Sequence, residues 1–213
     1  MKIVLFGATG HLGGAILEEA LRRGHDVTAI VRDRARLKAA DERLRVAVGN
    51  VADPATYEAA LRGADAVIAS LSARRDGDPS AVPAGARTLL EALPDAGVKR
   101  LVWVGGAGTL EVEPGVRVID DPNFPAAWKP EAEAQGEALA VFRASAAAVD
   151  WTYVSPAALI EDGERSGHYR LGGDRLLTDA DGVSRITVPD YAVAILDRVE
   201  NDDAPRRRVT VAY

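Results

Sequence analysis

Lys2-Ile3-Val4-Leu5-Phe6-Gly7-Ala8-Thr9-Gly10-His11-Leu12-Gly13 is the stretch that decides the fold. A short apolar run reads as a buried strand, and glycines at 7, 10 and 13 lead straight into a helical pattern over 12–23. In that context each glycine has a task. Gly7 permits a tight turn, Gly10 lets backbone approach a pyrophosphate, and Gly13 lets the helix pack closely on the strand. The helix start offers free N–H groups and a partial positive charge to phosphate oxygens. Gly7, Thr9, Gly10, His11, Leu12 and Gly13 are therefore candidates for binding a dinucleotide.

Beyond this unit, strand and helix alternate. Strand patterns over 26–31, 43–48, 64–70, 100–104 and 151–154 are separated by helical patterns over 55–61, 84–96 and 131–147. Strands this apolar, divided by helices, predict a parallel sheet covered on both faces. Right-handed crossovers make it an α/β doubly wound sheet in the order 3-2-1-4-5-6. After the sixth strand the period changes. Residues 168–171 and 175–178 flank Gly172-Gly173-Asp174 as an expected β-hairpin, 190–199 reads as a last helix, and 208–212 as an edge strand. This last third is too short for a core of its own. Residues 1–213 are thus expected to form one domain, with 155–190 supplying most of a small C-terminal substrate lobe over the carboxyl edge of the sheet.

Composition narrows the function. Of 213 residues, 47% are hydrophobic and 27% charged, an ordinary balance for a folded chain, and the net charge is −6. Cysteine is absent, which removes disulfides, thiolate catalysis and thiolate metal sites. The best basic block, Arg206-Arg207-Arg208, reads as a solvated turn, so no nucleic-acid partner is expected. With no signal-peptide pattern and no apolar run near the roughly 18 residues of a membrane span, the expected location is cytoplasmic, away from membranes. His11, His25 and His168 lack ligand spacing, so no metal is expected. No Gly-x-Ser-x-Gly elbow suggests a hydrolase.

The strand ends carry further candidates. Arg32 stands at the tip of the second strand, where an NAD-selective fold usually places a carboxylate. An arginine there accommodates a 2′-phosphate, so NADP(H) is the expected cofactor; Asp33 keeps NAD(H) open. Asn50 and Asp53 follow the third strand, where a polar group could meet adenine, although Asp53 before Pro54 is equally a helix cap. Ser70, Leu71 and Ser72 end the fourth strand on the expected nicotinamide-ribose side.

The Gly-Ala-Thr-Gly-x-x-Gly opening, Val31-Arg32-Asp33 and Gly49-Asn50-Val51-Ala52-Asp53 resemble the atypical short-chain dehydrogenase/reductases. Asp150-Trp151-Thr152-Tyr153-Val154-Ser155-Pro156 and Ser184-Arg185-Ile186-Thr187-Val188-Pro189-Asp190-Tyr191-Ala192 narrow the resemblance. They are similar to the NADH-flavin reductase group, relatives of biliverdin reductase B and of NmrA-like proteins. The resemblance runs over essentially the whole chain. It implies an NAD(P)H-binding Rossmann domain with Pro156 and its neighbours on the nicotinamide side, and Gly105 joins the cofactor-binding candidates.

The departures bear on mechanism. None of Tyr57, Tyr153, Tyr169, Tyr191 and Tyr213 has a lysine four residues later, so the Tyr-x-x-x-Lys pair of short-chain dehydrogenases is missing. The family's hydroxyl after strand five is replaced by Gly105-Gly106-Ala107-Gly108, with Thr109 the nearest hydroxyl, and a histidine after the strand-six proline is replaced by Ala157 or Ala158. Lys129 remains as a candidate catalytic residue, able to orient a ribose or phosphate or to protonate a product. Trp128 beside it could stack on a flat substrate, and Glu131 reads as a helix start. His168 and Tyr169 read as structural.

The expected function is an NAD(P)H-dependent reductase of a flat acceptor such as FMN, another free flavin or a quinone. Such acceptors take a hydride without a strong protein acid. The expected partner is a small-molecule substrate, and the expected assembly a monomer or weak homodimer. Two other classes fit the same residues: a non-catalytic NADP(H)-sensing NmrA-like protein, and an epimerase- or dehydratase-like enzyme that keeps its nicotinamide bound.

Overall fold

Strand residues of alternating parity face opposite sides of a sheet, and in the first strand, β1 (Lys2–Phe6), both sets are apolar from Ile3 onward. Ile3 and Leu5 enter one core cluster while Val4 and Phe6 enter a second. A sheet buried on both faces is the result, with helices covering each. The computed structural model describes residues 1–74, 77–201 and 203–213.

In chain order the first half runs α1 (His11–Arg22), β2 (Asp26–Val31), β3 (Leu44–Val48), α2 (Glu58–Leu61), β4 (Ala66–Ala69) and α3 (Ala81–Asp95). It continues with β5 (Arg100–Val104), the small hairpin β6 (Glu111–Glu113) and β7 (Val116–Arg117), then α4 (Lys129–Ala144) and β8 (Asp150–Ser155). The remaining elements are β9 (Leu159–Glu161), β10 (Arg170–Gly172), β11 (Arg185–Thr187), α5 (Val188–Asn201) and β12 (Arg207–Ala212). The main sheet has the order β10-β12-β8-β5-β4-β1-β2-β3. Its six strands from β3 to β8 reproduce the expected doubly wound order, all parallel, with Leu5 beside Ala29 and Ile68 in register.

One core cluster gathers Ile16, Leu17 and Ala20 of α1 with Tyr191, Ile195 and Leu196 of α5. The other gathers Leu89 and Leu93 of α3 with Ala138 and Phe142 of α4. Trp103, Phe142, Trp151 and Tyr153 form an aromatic group there, with ring centroids 5.1 to 6.3 Å from Phe142.

Three local expectations are corrected. Residues 168–178 do not form a hairpin with themselves: β10 pairs antiparallel with β12, Leu171 opposite Val211. The C-terminal segment, already paired with β8, offers that strand an ordered sheet edge, whereas 175–178 turns toward β6, the Leu176 N–H donating to the Glu111 carbonyl. Consequently β12 is not an edge strand; it lies between β8 and β10, parallel to β8. The arginine block is a solvated turn only in part: Arg206 and Arg207 are exposed, but Arg208 is not. Arg208 is buried in β12 and donates to Asp174 Oδ1 at 2.7 Å and to Thr109 Oγ1 at 3.0 Å. Arg206, held at φ +56°, donates to the carbonyls of Ala147 and Ser145.

Two buried carboxylates fasten the loop that follows β9. Glu19 of α1 accepts from Arg165 of that loop at 2.9 Å and from Arg22 and Arg23 of its own helix. Asp190 of α5 accepts from Ser166 Oγ, from the Gly167 N–H at 2.7 Å and from the Tyr213 hydroxyl at 2.6 Å. Among the described residues, no helix is long and apolar enough to cross a membrane.

Candidate functional site

The carboxyl edge of a parallel sheet, where strand order reverses, is the place for a ligand. Here β1 lies between β4 and β2. A cleft of about 650 Å³ opens at that edge, within the size range of ligand sites. Its walls come from the end of β1 and start of α1 (Gly10, His11, Leu12), the segment after β4 (Ser70, Leu71, Ser72, Arg74) and that after β5 (Val104 to Gly108). The stretch leading into α4 (Val118, Asp121, Asn123, Phe124, Pro125 and Trp128), the start of α4 and the segment after β8 (Pro156 to Ile160) complete them.

The glycine turn is built as its sequence requires. Gly7 sits at φ +84°, and a Cβ there would lie 2.0 Å from the Ser70 carbonyl oxygen. A Cβ on Gly13 would lie 2.0 Å from the Gly7 oxygen, so only glycine allows α1 to start this close to β1. Gly10 is different: its Cβ would meet nothing nearer than 3.3 Å within the protein, which leaves its open side to the cleft. No side chain caps α1 at Gly10. Its first-turn N–H groups and helix dipole thus fit a pyrophosphate.

Seven of the expected cofactor residues line the cleft together: Gly10, His11, Leu12, Ser70, Leu71, Gly105 and Pro156. Gly7, Thr9 and Gly13 belong to the turn, and Arg32 follows β2 directly on the same sheet edge. Asn50 and Asp53 follow β3 and lie outside the cleft lining. Asp53 does not cap the short helix after it with its side chain, whereas Asn50 Oδ1 accepts from the Ala52 N–H at 3.1 Å.

Lys129 is corrected. It lines a second cavity, of about 710 Å³, with Asp120, Glu133 and Glu137, not the cleft. Helical periodicity turns positions 129, 133 and 137 to one side of α4 and 128, 131, 132 and 135 to the other. Trp128 does line the cleft, half-exposed, with the Arg74 guanidinium 5.9 Å from its ring centroid. Thr109, the nearest hydroxyl after β5, also lines the second cavity. His168 and Tyr169 do not reach the cleft; Tyr169 donates to Asp197 at 2.5 Å.

Sequence reasoning missed the polar network under the cleft. Gln135, buried in α4, accepts from Trp103 Nε1 at 3.1 Å and donates from Nε2 to the Leu71 carbonyl at 3.0 Å and to Glu131 Oε1 at 3.1 Å. Glu131 Oε2 accepts from Ser72 Oγ at 3.0 Å and from the Ala73 N–H at 2.8 Å. The Tyr153 hydroxyl accepts from the Gly106 N–H at 3.1 Å and donates to the Gln135 carbonyl at 2.9 Å. Burial pushes that phenol well above its ordinary pKa, so it stays protonated. The available signal was the Glu131-x-x-x-Gln135 spacing among small residues, one helical turn apart on a face otherwise buried. Among the described residues, no group of three His, Asp or Glu side chains is placed to hold a metal.

Relatives agree with this architecture. YwnB of Bacillus subtilis, an uncharacterized protein, is 37% identical over 214 residues, spanning 99% of this chain and 98% of its own. A solved structure from Bacteroides thetaiotaomicron, provisionally named an epimerase, is 38% identical with TM-score 0.90, covering 100% of this chain and 96% of its own. One from Streptococcus pneumoniae, provisionally named an NADH-flavin reductase, is 33% identical with TM-score 0.83, covering 100% and 99%. The fold is Rossmann-like, and with a family model matching residues 7–198, the chain belongs to the NAD(P)H-binding family.

Proposed function

We propose that this protein is an NAD(P)H-dependent reductase that passes a hydride to a flat, readily reduced acceptor such as a free flavin or a quinone. The observation that carries the reading is the cleft itself. An uncapped helix start lies at one end, aromatic Phe124 and Trp128 line another wall, and no Tyr-x-x-x-Lys acid pair is present. Flavins and quinones suit such a site, because solvent can protonate their reduced forms. The nicotinamide, when bound, supplies the hydride; the chain binds, orients and excludes water.

In this reading Gly7, Thr9, Gly10, His11, Leu12 and Gly13 hold the pyrophosphate, and Arg32 favours NADP(H) over NAD(H). Asn50 and Asp53 flank the adenine, while Ser70, Leu71, Gly105 and Pro156 border the nicotinamide. One domain carries cofactor and acceptor, acts as a monomer or weak dimer, and works in the cytoplasm, where reduced nicotinamide is at hand. The test is NADPH absorbance decay with FMN, beside NADH and a protein-free control. Saturable, protein-dependent decay supports the reading. Binding of NADPH without decay removes it and favours a sensor. Nicotinamide retained through purification favours the epimerase-like alternative suggested by the name of the Bacteroides relative.

A further inference from the structure

The polar corner where the segment after β4 meets α4 has an uneven supply of protons. Ser72 spends its hydroxyl hydrogen on Glu131, and the Ala73 N–H does the same. Gln135 spends both Nε2 hydrogens, one on Leu71 and one on Glu131. The Gly106 N–H is taken by Tyr153. On these groups, among the described residues, what remains open is lone pairs; the nearby Arg74 guanidinium lies over the Trp128 ring. A carboxylate has about four acceptor positions, and three on Glu131 are filled; a hydroxyl oxygen has two, and one on Ser72 is filled by the Arg74 N–H at 3.2 Å. Both Ser72 and Glu131 line the cleft, as do Gln135 and Gly106.

We infer that this Ser72–Glu131 patch selects hydride acceptors presenting a ring N–H, such as heterocycles with an imide edge, over quinones. The inference rests on the reductase reading and narrows its substrate class. An N–H directed at Glu131 makes a charge-assisted hydrogen bond. A quinone oxygen, which only accepts, meets lone pairs there and strips water from a carboxylate without replacing it.

The test compares kcat/KM at saturating NADPH for riboflavin, its N3-methyl derivative and a naphthoquinone. Each tenfold difference corresponds to about 1.4 kcal/mol, and loss of one charge-assisted hydrogen bond is expected to lower the methylated compound about tenfold or more. Glu131→Gln, which adds a donor, and Ser72→Ala should each narrow that gap and raise the quinone relative to riboflavin. A gap that persists in both variants is steric and overturns the inference. So do equal rates for the two flavins in the wild-type protein, which leave the reductase reading standing. A variant effect confined to the KM for NADPH assigns the patch to the cofactor, and also overturns it. Quenching of flavin fluorescence by the NADP+ complex separates the two claims. N–H-dependent binding without reduction keeps the inference and removes the reductase; no binding of either flavin removes both.

Discussion

Gly105 and Tyr153 share one volume: a Cβ on Gly105 would lie 2.1 Å from Cε1 of the buried ring. A side chain directly after β5 has no room, because the ring of the neighbouring strand fills its place. Gly105→Ser should therefore fail to restore dehydrogenase chemistry. It should destabilise by about 3 kcal/mol or more, the upper range for overpacking, because a rigid aromatic ring would have to move. A lowered urea midpoint with unchanged slope would check this; a serine variant as stable as wild type would contradict the packing.

Gly10 and Gly13 should separate binding from folding. Gly13→Ala drives a Cβ into the Gly7 carbonyl and should destabilise the turn, lowering Tm by several degrees. Gly10→Ala should be milder than Gly13→Ala, since its Cβ at 3.3 Å asks the Gly7 carbonyl to shift by only a few tenths of an ångström, while Gly10→Glu places a carboxylate where phosphates would lie. Titration with NADPH should show loss of binding in Gly10→Glu. Unchanged affinity would remove the cofactor assignment.

Arg32→Ala should lower the preference for NADPH over NADH about tenfold, the worth of one charge-assisted contact to a phosphate. The ratio of kcat/KM for the two cofactors measures it, and an unchanged ratio would overturn the role of Arg32.

Lys129→Ala should leave turnover within about twofold, because the side chain lines the second cavity. Steady-state rates with NADPH and FMN decide the matter. A large loss of kcat would return Lys129 to the site.

Acid should loosen the protein through Glu19 and Asp190. Burial raises the Glu19 pKa, but hydrogen bonds from Arg22, Arg165 and Arg23 outweigh it and bring the group down to about 2. Burial also opposes ionisation of Asp190, and donors from Ser166, Tyr213 and Gly167 again win, lowering it. A carboxylate depressed by folding stabilises above its unfolded pKa and loses that contribution as pH falls through the folded value. For Glu19 the window runs from about 4.5 down to about 2, with a ceiling of about 3 kcal/mol. Urea unfolding at pH 7, 4 and 3 should show falling stability, and Glu19→Gln should flatten that slope.

The doubly wound order was legible because it depends on local patterns: glycine spacing, apolar strands and the helices between them. The C-terminal third was less so. Whether β10 pairs with 175–178 or with β12 is a contest between distant segments, and a turn-like Gly172-Gly173-Asp174 says nothing of the competitor. Arg208 shows the same limit, since its burial depends on Asp174 and Thr109, far off in sequence. At the site, the backbone cradle could be read from glycines, whereas the Glu131–Gln135 network required knowing which side of α4 meets the cleft. That geometry also separates Lys129 from Glu131, two residues apart.

Helix α1 links the glycine turn of the cleft to the loop that follows β9. It begins at Gly10 on the phosphate side, and Glu19 near its far end grips Arg165, which follows the β9 residues lining the opposite rim. The helix thus ties the glycine turn to the segment after β9, and the buried Glu19 carboxylate is the knot at its far end. Arg74 and Trp128, which also line the cleft, are joined instead by the guanidinium lying over the ring, a contact in which α1 takes no part.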